Sequence, residues 1–215
     1  MPAILHLVEA TPGALKHAPG LLTPDEQAAF AHYTVPKRRR EWLLGRLAAK
    51  QALAQLTGLQ PSAVAIRKLP DGRPVFFLPE DRLPGWHLSI SHSHHWAAAL
   101  VAPGPAGVDL ELMRVLPEGG HRFFLSERER AWLAGRPLGP HGAVILWALK
   151  EAAFKALEGA LPHMRTLETE IHDGHARLRW SGGEVLAQYK EWRGFVLAIA
   201  APAPADWLDQ VQWPT

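Results

Sequence analysis

The chain has 215 residues, of which 47% are hydrophobic and 20% charged, a balance typical of a globular protein with a substantial buried core. Its formal net charge of +2 is small for a general nucleic-acid-binding protein, which needs a strong basic field. The absence of cysteine excludes disulfides, thiolate nucleophiles and cysteine-based metal sites. The sequence has no basic leader and no apolar run long enough to span a membrane, so we expect a soluble cytoplasmic protein.

Several helices are predicted from the signals at their ends. Thr23 suits an N-cap, because a proline and two acidic residues follow it. A longer helical pattern runs over residues 37–58 and stops at a glycine. Ser126, with Glu129 three residues later, has the spacing of a capping box. Residues 147–157 carry large apolar side chains at helical spacing.

Strands are predicted where apolar residues alternate or run together between turn signals. They cover residues 62–69, a short segment after the turn at 70–73, two or three runs between 86 and 112, and then 175–180, 184–192 and 195–204. This mixture of elements predicts an α/β (α+β) fold.

A weak internal repeat accompanies these elements. Residues 48–58 resemble residues 149–159, and residues 96–103 resemble residues 195–202. Alanine-rich helices also resemble one another by chance. If the repeat is real, the chain consists of two similar α/β halves that meet near residues 103–107, with any central site between them.

Acidic residues gather in the segment GVDLE. Asp109 and Glu111 lie two apart on a predicted strand, so their carboxylates share one face and repel each other where the strand is half buried. A divalent cation such as Mg²⁺ would offset that repulsion, whereas a solvated strand edge would tolerate it. Glu151 and Lys155 have the spacing of an ordinary surface ion pair, worth about 0.2–0.5 kcal/mol. Together with the strand acids, they also suit phosphoryl transfer.

The segment LSISHSHHW has several interpretations. Alternation along a strand places Ser91 on one face and both His92 and His94 on the other. A zinc site lacks a nearby third soft ligand, and a serine–histidine nucleophile lacks the usual elbow motif. The remaining alternatives are a phosphate-binding strand end and a merely polar strand terminus.

Basic residues cluster at the start of the long helical pattern. The run KRRR ends at Arg40, Arg46 follows on the same helix, and Arg73 lies in the turn DGRP. Such residues either are solvated or neutralise the phosphates of a ligand, for which arginine has suitable bidentate geometry. The aromatic residues that interleave basic ones in RNA-binding proteins are absent here.

The motifs SISHS, GVDLE and WALKEAAFK, in that order, resemble the 4′-phosphopantetheinyl transferases of the surfactin-synthetase-activating (Sfp-type) class. The signature of that family is G-[VI]-D-x-E followed along the chain by W-x-x-K-E-[AS]-x-x-K. The segments RRREWLLGR, GRP and RFFLSERE also fit, so the resemblance covers nearly the whole chain.

The resemblance implies a pseudo-dimer of two similar α/β halves. Residues 1–103 would form the half with nucleotide-binding contributions, and residues 104–215 the half with the magnesium-binding acids and the catalytic helix. The active site would lie at their interface. Such an enzyme transfers the phosphopantetheine arm of coenzyme A to a serine of an apo acyl or peptidyl carrier protein. It uses Mg²⁺ and releases 3′,5′-ADP. We expect a monomer with no nucleic-acid or membrane partner.

The resemblance also implies roles for individual residues. Mg²⁺ would be bound by Asp109, Glu111 and Glu151. Glu151 would be the catalytic base, directly or through a metal-bound water, and Lys155 would steady the phosphate under attack. The residues expected to bind coenzyme A are Arg40, Arg46, Arg73, Ser91, His92, Asp109, Lys150 and Lys155. An apolar and basic segment would contribute to carrier docking through Met113, Arg114, Phe123 and Phe124.

The sequence departs from the family pattern at a few positions. His94 stands where the family often has glycine, Arg73 where lysine is common, and Ala152 where serine is frequent. Two other functions remain open from the residues alone: a magnesium-dependent phosphodiesterase that uses water in place of serine, and a basic nucleic-acid-binding module.

Overall fold

The computed structural model describes residues 2–79, 83–135, 137–160 and 163–215. The chain divides into two compact units. The N-terminal unit comprises Met1–Gly104 and Gln210–Pro214, and the C-terminal unit comprises Pro105–Asp209 and Thr215. Within the described ranges, no helix is both long enough and apolar enough to cross a membrane.

The N-terminal unit contains a long helix packed against a small sheet. Its elements are β1 (Ile4–Glu9), α1 (Pro12–His17), α2 (Pro24–Ala31), α3 (Pro36–Thr57), β2 (Ala65–Lys68), β3 (Pro74–Phe77), β4 (His87–Ser93) and β5 (Trp96–Ala102). The strands form an antiparallel sheet in the order β1-β5-β4, while β2 and β3 pair separately. Alanines and leucines of α3 are buried in the core that it shares with the sheet.

The C-terminal unit repeats this plan with a larger sheet. Its elements are β6 (Gly107–Leu112), α4 (Glu118–His121), α5 (Glu127–Ala134), α6 (Gly142–Ala156), β7 (Glu168–His172), β8 (His175–Trp180), β9 (Gly183–Trp192) and β10 (Phe195–Pro202). All strands pair antiparallel in the order β6-β10-β9-β8-β7. One face of α6 is buried against side chains of β8, β9 and β10.

The end signals in the sequence locate α2, α3 and α5 correctly, whereas α1 and α4 were not predicted and α6 begins five residues before the predicted helix. Thr23 caps α2 and Ser126 caps α5, each in a reciprocal capping box with the glutamate three residues later. Helix α3 ends at Gly58, whose φ of 72° is the left-handed conformation that glycine adopts at no steric cost. The α/β fold class is confirmed. Strands β1 and β7 were not predicted.

The two units correspond element by element, so the internal repeat reflects two similar α/β halves. In each, the first strand pairs with the last strand, which also pairs with the preceding one. His6 lies opposite Ala99 in the first unit, and Asp109 lies opposite Ala198 in the second. The repeat aligns Ala99 with Ala198, so His6 occupies the position that corresponds to Asp109. His6 is hydrogen-bonded to Gln51 at 3.0 Å.

Candidate active site

The glycine of the GVDLE motif allows β6 and α6 to lie in direct contact. A Cβ atom built on Gly107 would stand 1.8 Å from the backbone oxygen of Ala152, far closer than any real contact. Only a residue without a side chain fits here. The residues that follow Gly107 along β6 are therefore held close to α6.

Asp109 and Lys155 form an ion pair across this contact. The Lys155 Nζ donates to Asp109 Oδ1 at 2.7 Å and to the carbonyl oxygen of Val108 at 2.9 Å. Asp109 is buried, whereas the Lys155 side chain is 29% exposed. The ammonium of Lys155 is thus within reach of solvent and of a ligand.

Trp147, Glu151 and Lys155 follow one another at intervals of four residues on α6, so their side chains form one stripe along the helix. Glu111 contacts the first residue of this stripe. The Trp147 Nε1 donates to Glu111 Oε1 at 3.0 Å. The Trp147 ring packs edge-on against Phe124 with a centroid separation of 5.1 Å. The half-buried indole therefore holds the Glu111 carboxylate in one orientation.

Glu151 lies between Trp147 and Lys155 on this stripe, and its electrostatic surroundings are unusual. Burial raises the pKa of Glu151, Lys155 opposes that rise, and the carboxylates of Asp109 and Glu111 add to it. Burial likewise raises the pKa of Glu111, to which Asp109 also contributes. The structure thus brings together three mutually repelling carboxylates and one ammonium, which we call the acid cluster: Asp109, Glu111, Glu151 and Lys155.

The acid cluster fits a hard divalent cation in its donor chemistry. Carboxylate oxygens are the protein ligands that Mg²⁺ prefers. Burial first, and repulsion between the carboxylates second, raise the pKa values of Glu111 and Glu151, and a cation would offset both effects. Among the residues that the structure describes, no three metal-binding side chains stand close enough to form a ready-made site. Lys155 already contacts Asp109, so a cation would share or replace that contact.

Mg²⁺ is expected to stabilise the protein in a pH-dependent way. Acids with a pKa raised on folding bind protons more tightly when folded, so their contribution to stability is lost as pH rises through the raised pKa. At neutral pH, Mg²⁺ at about 100 times its dissociation constant should add about 2.7 kcal/mol to the free energy of unfolding. The gain should vanish near pH 4, about the ordinary pKa of glutamate. Denaturant titrations with and without Mg²⁺ at both pH values measure this, and an equal gain at both would contradict it.

Lys150 was predicted to bind coenzyme A, but the structure places it in the protein interior. Its side chain is completely buried, and its Nζ donates to Glu129 Oε2 at 2.6 Å and to the carbonyl oxygen of Phe124 at 2.9 Å. Burial lowers the pKa of Lys150, and Glu129 opposes that effect. The ammonium is therefore enclosed by protein and out of reach of a ligand. Sequence reasoning identified Glu129 as a capping residue but missed its pairing with Lys150.

The predicted arginines differ in their accessibility. Arg40 is exposed on α3. Arg46 is 8% exposed, lies 3.8 Å from Glu26 and stacks over the Trp42 ring at 4.8 Å. Arg73 donates through Nε to Asp71 at 2.7 Å in the turn before β3. Arg40 and Arg73 are thus partly or fully open to solvent, whereas most of Arg46 is committed to packing.

The SISHS segment forms β4, and its side chains alternate as expected. Ser91 is buried, and His92 on the opposite face is exposed. His94 follows in the turn to β5 with a φ of 56°, a left-handed conformation in which glycine is less strained. The position at which the family often has glycine is therefore one where the backbone favours it.

The predicted docking residues do not form one exposed patch. Phe123 is 71% exposed with the Arg122 guanidinium 5.0 Å from its ring centre. Phe124 is 4% exposed and packs on Trp147, so its inclusion in a docking surface was wrong. Met113 packs partly into the core, and Arg114 is exposed.

Two carboxylates on a strand, beside a helix that carries a third carboxylate and a lysine, suit an enzyme of phosphoryl transfer. Comparison with known families narrows this class. Residues 25–102 match the 4′-phosphopantetheinyl transferase N-terminal domain, and residues 105–200 match the 4′-phosphopantetheinyl transferase superfamily. The chain belongs to the 4′-phosphopantetheinyl transferase superfamily, and the predictions of this family and of an enzyme are confirmed.

Two curated relatives and one solved structure illustrate what the chain is similar to. The 4′-phosphopantetheinyl transferase psf-1 of Bacillus pumilus is 24% identical over 188 residues, covering 84% of this chain and 79% of the relative. A holo-[acyl-carrier-protein] synthase of Shouchella clausii is 36% identical over 104 residues, covering 45% of this chain and 87% of the relative. A solved holo-(acyl-carrier-protein) synthase of Bacillus anthracis in complex with CoA (3′,5′-ADP) is 24% identical, with a TM-score of 0.41 over 46% of this chain and 92% of that one.

Proposed function

We propose that the protein transfers the 4′-phosphopantetheine arm of coenzyme A to a serine of an apo acyl or peptidyl carrier protein, with Mg²⁺, and releases 3′,5′-ADP. The observation that carries this proposal is the acid cluster, since the contact at Gly107 places Asp109 and Glu111 beside Glu151 and Lys155. Membership of the superfamily supplies the substrate class.

Asp109, Glu111 and Glu151 would hold the metal ion. When bound there, Mg²⁺ offsets negative charge on the pyrophosphate of coenzyme A. Glu151 accepts the proton of the carrier serine, because a serine hydroxyl is a weak nucleophile at neutral pH. In the metal-free protein, burial raises the pKa of Glu151, and a bound cation would offset that rise. The serine oxygen bonds to the phosphorus that bears the pantetheine arm, and the bond from that phosphorus to the bridging oxygen breaks.

Lys155 places its ammonium beside this reaction. Its side chain is partly exposed while its Nζ is held by Asp109 and a backbone carbonyl. From there it can contact a phosphate oxygen and stabilise the charge that moves onto the leaving 3′,5′-ADP. The same carboxylate contact keeps Lys155 pointed into the acid cluster.

Residues of the N-terminal unit bind the nucleotide part of coenzyme A in this proposal. Arg40, Arg73 and His92 all have exposed or partly exposed side chains, and arginine suits phosphate recognition. Ser91 is buried on the other face of β4 and supports the strand that presents His92. Arg46 contributes mainly through its stacking on Trp42.

Incubation with coenzyme A, Mg²⁺ and an apo carrier protein, followed by mass measurement of the carrier, tests the proposal. We expect a mass gain equal to the phosphopantetheine arm, which a chelator abolishes. Hydrolysis of coenzyme A with an unmodified carrier would assign a phosphodiesterase instead. No turnover together with salt-sensitive binding of polyanions would assign a basic binding module.

Phe123 is proposed as an anchor for the carrier protein. A large aromatic side chain that is 71% exposed and covered by Arg122 offers apolar area and positive charge to an acidic partner. Phe123→Ala is expected to raise the KM for the carrier roughly tenfold, since hot-spot truncations cost above about 1 kcal/mol, with no change in the KM for coenzyme A. Steady-state kinetics with each substrate varied measure both constants.

The matched control for this variant is Phe77→Ala. Phe77 is also an exposed phenylalanine, 50% accessible, with the Arg67 guanidinium 5.2 Å from its ring centre. It lies on β3 of the other unit. If both variants raise the KM for the carrier equally, Phe123 is not a specific anchor.

A further inference from the structure

Glu129 and Lys150 join three elements of the C-terminal unit through one buried ion pair. Glu129 Oε2 accepts from Lys150 Nζ at 2.6 Å and from the backbone N–H of Ser126 at 2.8 Å. Its Oε1 accepts from the backbone N–H of Thr169 at 3.0 Å. The pair therefore ties the start of α5 and the start of β7 to the middle of α6.

The N-terminal unit contains the same arrangement. Glu26 Oε2 lies 2.8 Å from Lys50 Nζ and accepts from the backbone N–H of Thr23 at 2.8 Å, and Glu26 Oε1 accepts from the backbone N–H of Ile66 at 3.1 Å. Lys50 also donates to the carbonyl oxygen of Val64. Both lysines are completely buried. The glutamate in each unit is the third residue of its capped helix.

The two long helices differ in the residues that follow the buried lysine. Lys150 precedes Glu151, and Lys155 lies farther along α6, whereas the corresponding positions of α3 carry Gln51 and Gln55. The buried pair thus occurs both with and without the acid cluster. Because the pair occurs in both units, it is part of the structural framework of each. The residue after the lysine, Glu151 in one unit and Gln51 in the other, is what differs between them.

Successive residues of a helix point about 100° apart, so fixing Lys150 in the core fixes the direction of Glu151. Rotating or sliding α6 would separate Lys150 from Glu129 and leave a buried charge unpaired, which is strongly unfavourable. The position of Glu151 beside Asp109 and Glu111 therefore depends on a contact on another side of the same helix.

We propose that Lys150 and Glu129 form a positioning pair that sets the orientation of Glu151, and that Lys150 does not bind the phosphates of coenzyme A. This inference rests on the proposed function of the acid cluster. The proposal gives Lys150 a structural role inside the protein, whereas the resemblance to the family assigned this lysine to the binding of coenzyme A.

Three variants test the pair: Lys150→Met, Glu129→Gln and the double variant with both changes. Each is measured for kcat at saturating coenzyme A, carrier and Mg²⁺, for the dissociation constant of 3′,5′-ADP, and for the dissociation constant of Mg²⁺ by calorimetry without any nucleotide. A positioning pair predicts that all three variants lower kcat at least tenfold and weaken Mg²⁺ binding at least threefold. It predicts that 3′,5′-ADP binding changes less than twofold.

The matched controls are Lys50→Met and Glu26→Gln. They remove an equivalent buried pair from the unit that lacks the acid cluster. They should therefore lower the unfolding temperature by a similar amount while leaving kcat and the Mg²⁺ dissociation constant within twofold of wild type. A general effect of lost stability would instead reduce kcat in both sets of variants, which would overturn the proposal.

The double variant decides the question if a single variant does not fold, since its pocket holds no unpaired charge. Weaker 3′,5′-ADP binding with unchanged kcat and Mg²⁺ affinity would show that Lys150 contacts phosphate and would overturn the proposal. Failure of the proposed function is distinguishable, because the wild-type protein would then leave the carrier unmodified whatever the variants do.

Discussion

Glu151→Gln is expected to lower kcat for phosphopantetheine transfer by about 10²–10⁴-fold, the usual contribution of a general base. Glutamine has nearly the same shape but cannot accept the serine proton. The KM for coenzyme A should change much less than kcat, because the amide still occupies the same space.

The measurement is single-turnover transfer at saturating Mg²⁺ and coenzyme A, which separates the proton-transfer step from metal binding. Glu191→Gln is a suitable control, because Glu191 is an exposed carboxylate on β9 of the same unit and should transfer at the wild-type rate. If Glu151→Gln kept a near-normal transfer rate, Glu151 would not be the base.

Gly107→Ala is expected to be among the most damaging small substitutions in the chain. The added methyl would lie 1.8 Å from the carbonyl oxygen of Ala152 and 2.9 Å from the backbone nitrogen of Ala156. Both atoms belong to the backbone of α6, so neither can move aside as a flexible side chain would. We expect a loss of about 3 kcal/mol or more in the free energy of unfolding, at or above the upper end for overpacked cores.

Denaturant unfolding measures the loss of stability, and the phosphopantetheine-transfer assay measures the accompanying loss of activity. Even where the variant folds, the forced separation of β6 from α6 should reduce activity at least tenfold by moving Asp109 and Glu111 away from Glu151. Gly20→Ala is the control, because a Cβ atom there meets nothing within 4 Å. Wild-type stability in Gly107→Ala would contradict the close approach of strand and helix.

Helices α2, α3 and α5 were predictable because their ends carry local signals. Thr23, Ser126 and Gly58 act within one turn of their own helix, so the sequence nearby contains all the necessary information. Strand β1 was missed because nearly all of its residues are only half buried, which leaves little alternation to detect. Strand β7 lies at the edge of its sheet with mostly polar, partly exposed residues, and its hydrogen bonds to β8 depend on distant sequence.

The acid cluster was predictable for a related reason. Asp109 and Glu111 share a strand face, and Glu151 and Lys155 share a helix face, so local periodicity identified each pair. The buried pairing of Lys150 was not predictable, since its partner Glu129 is 21 residues away and only tertiary packing brings them together. Phe123 and Phe124 differ in exposure although they are adjacent, because the segment between α4 and α5 has no regular period.

The contact between Lys155 and Asp109 also bears on the stability of the metal-free protein. In the metal-free protein it supplies the acid cluster with an internal counter-ion, which a chelator cannot remove. A protein stripped of metal should therefore stay folded. Its activity should return at once when Mg²⁺ is restored, with no slow refolding phase.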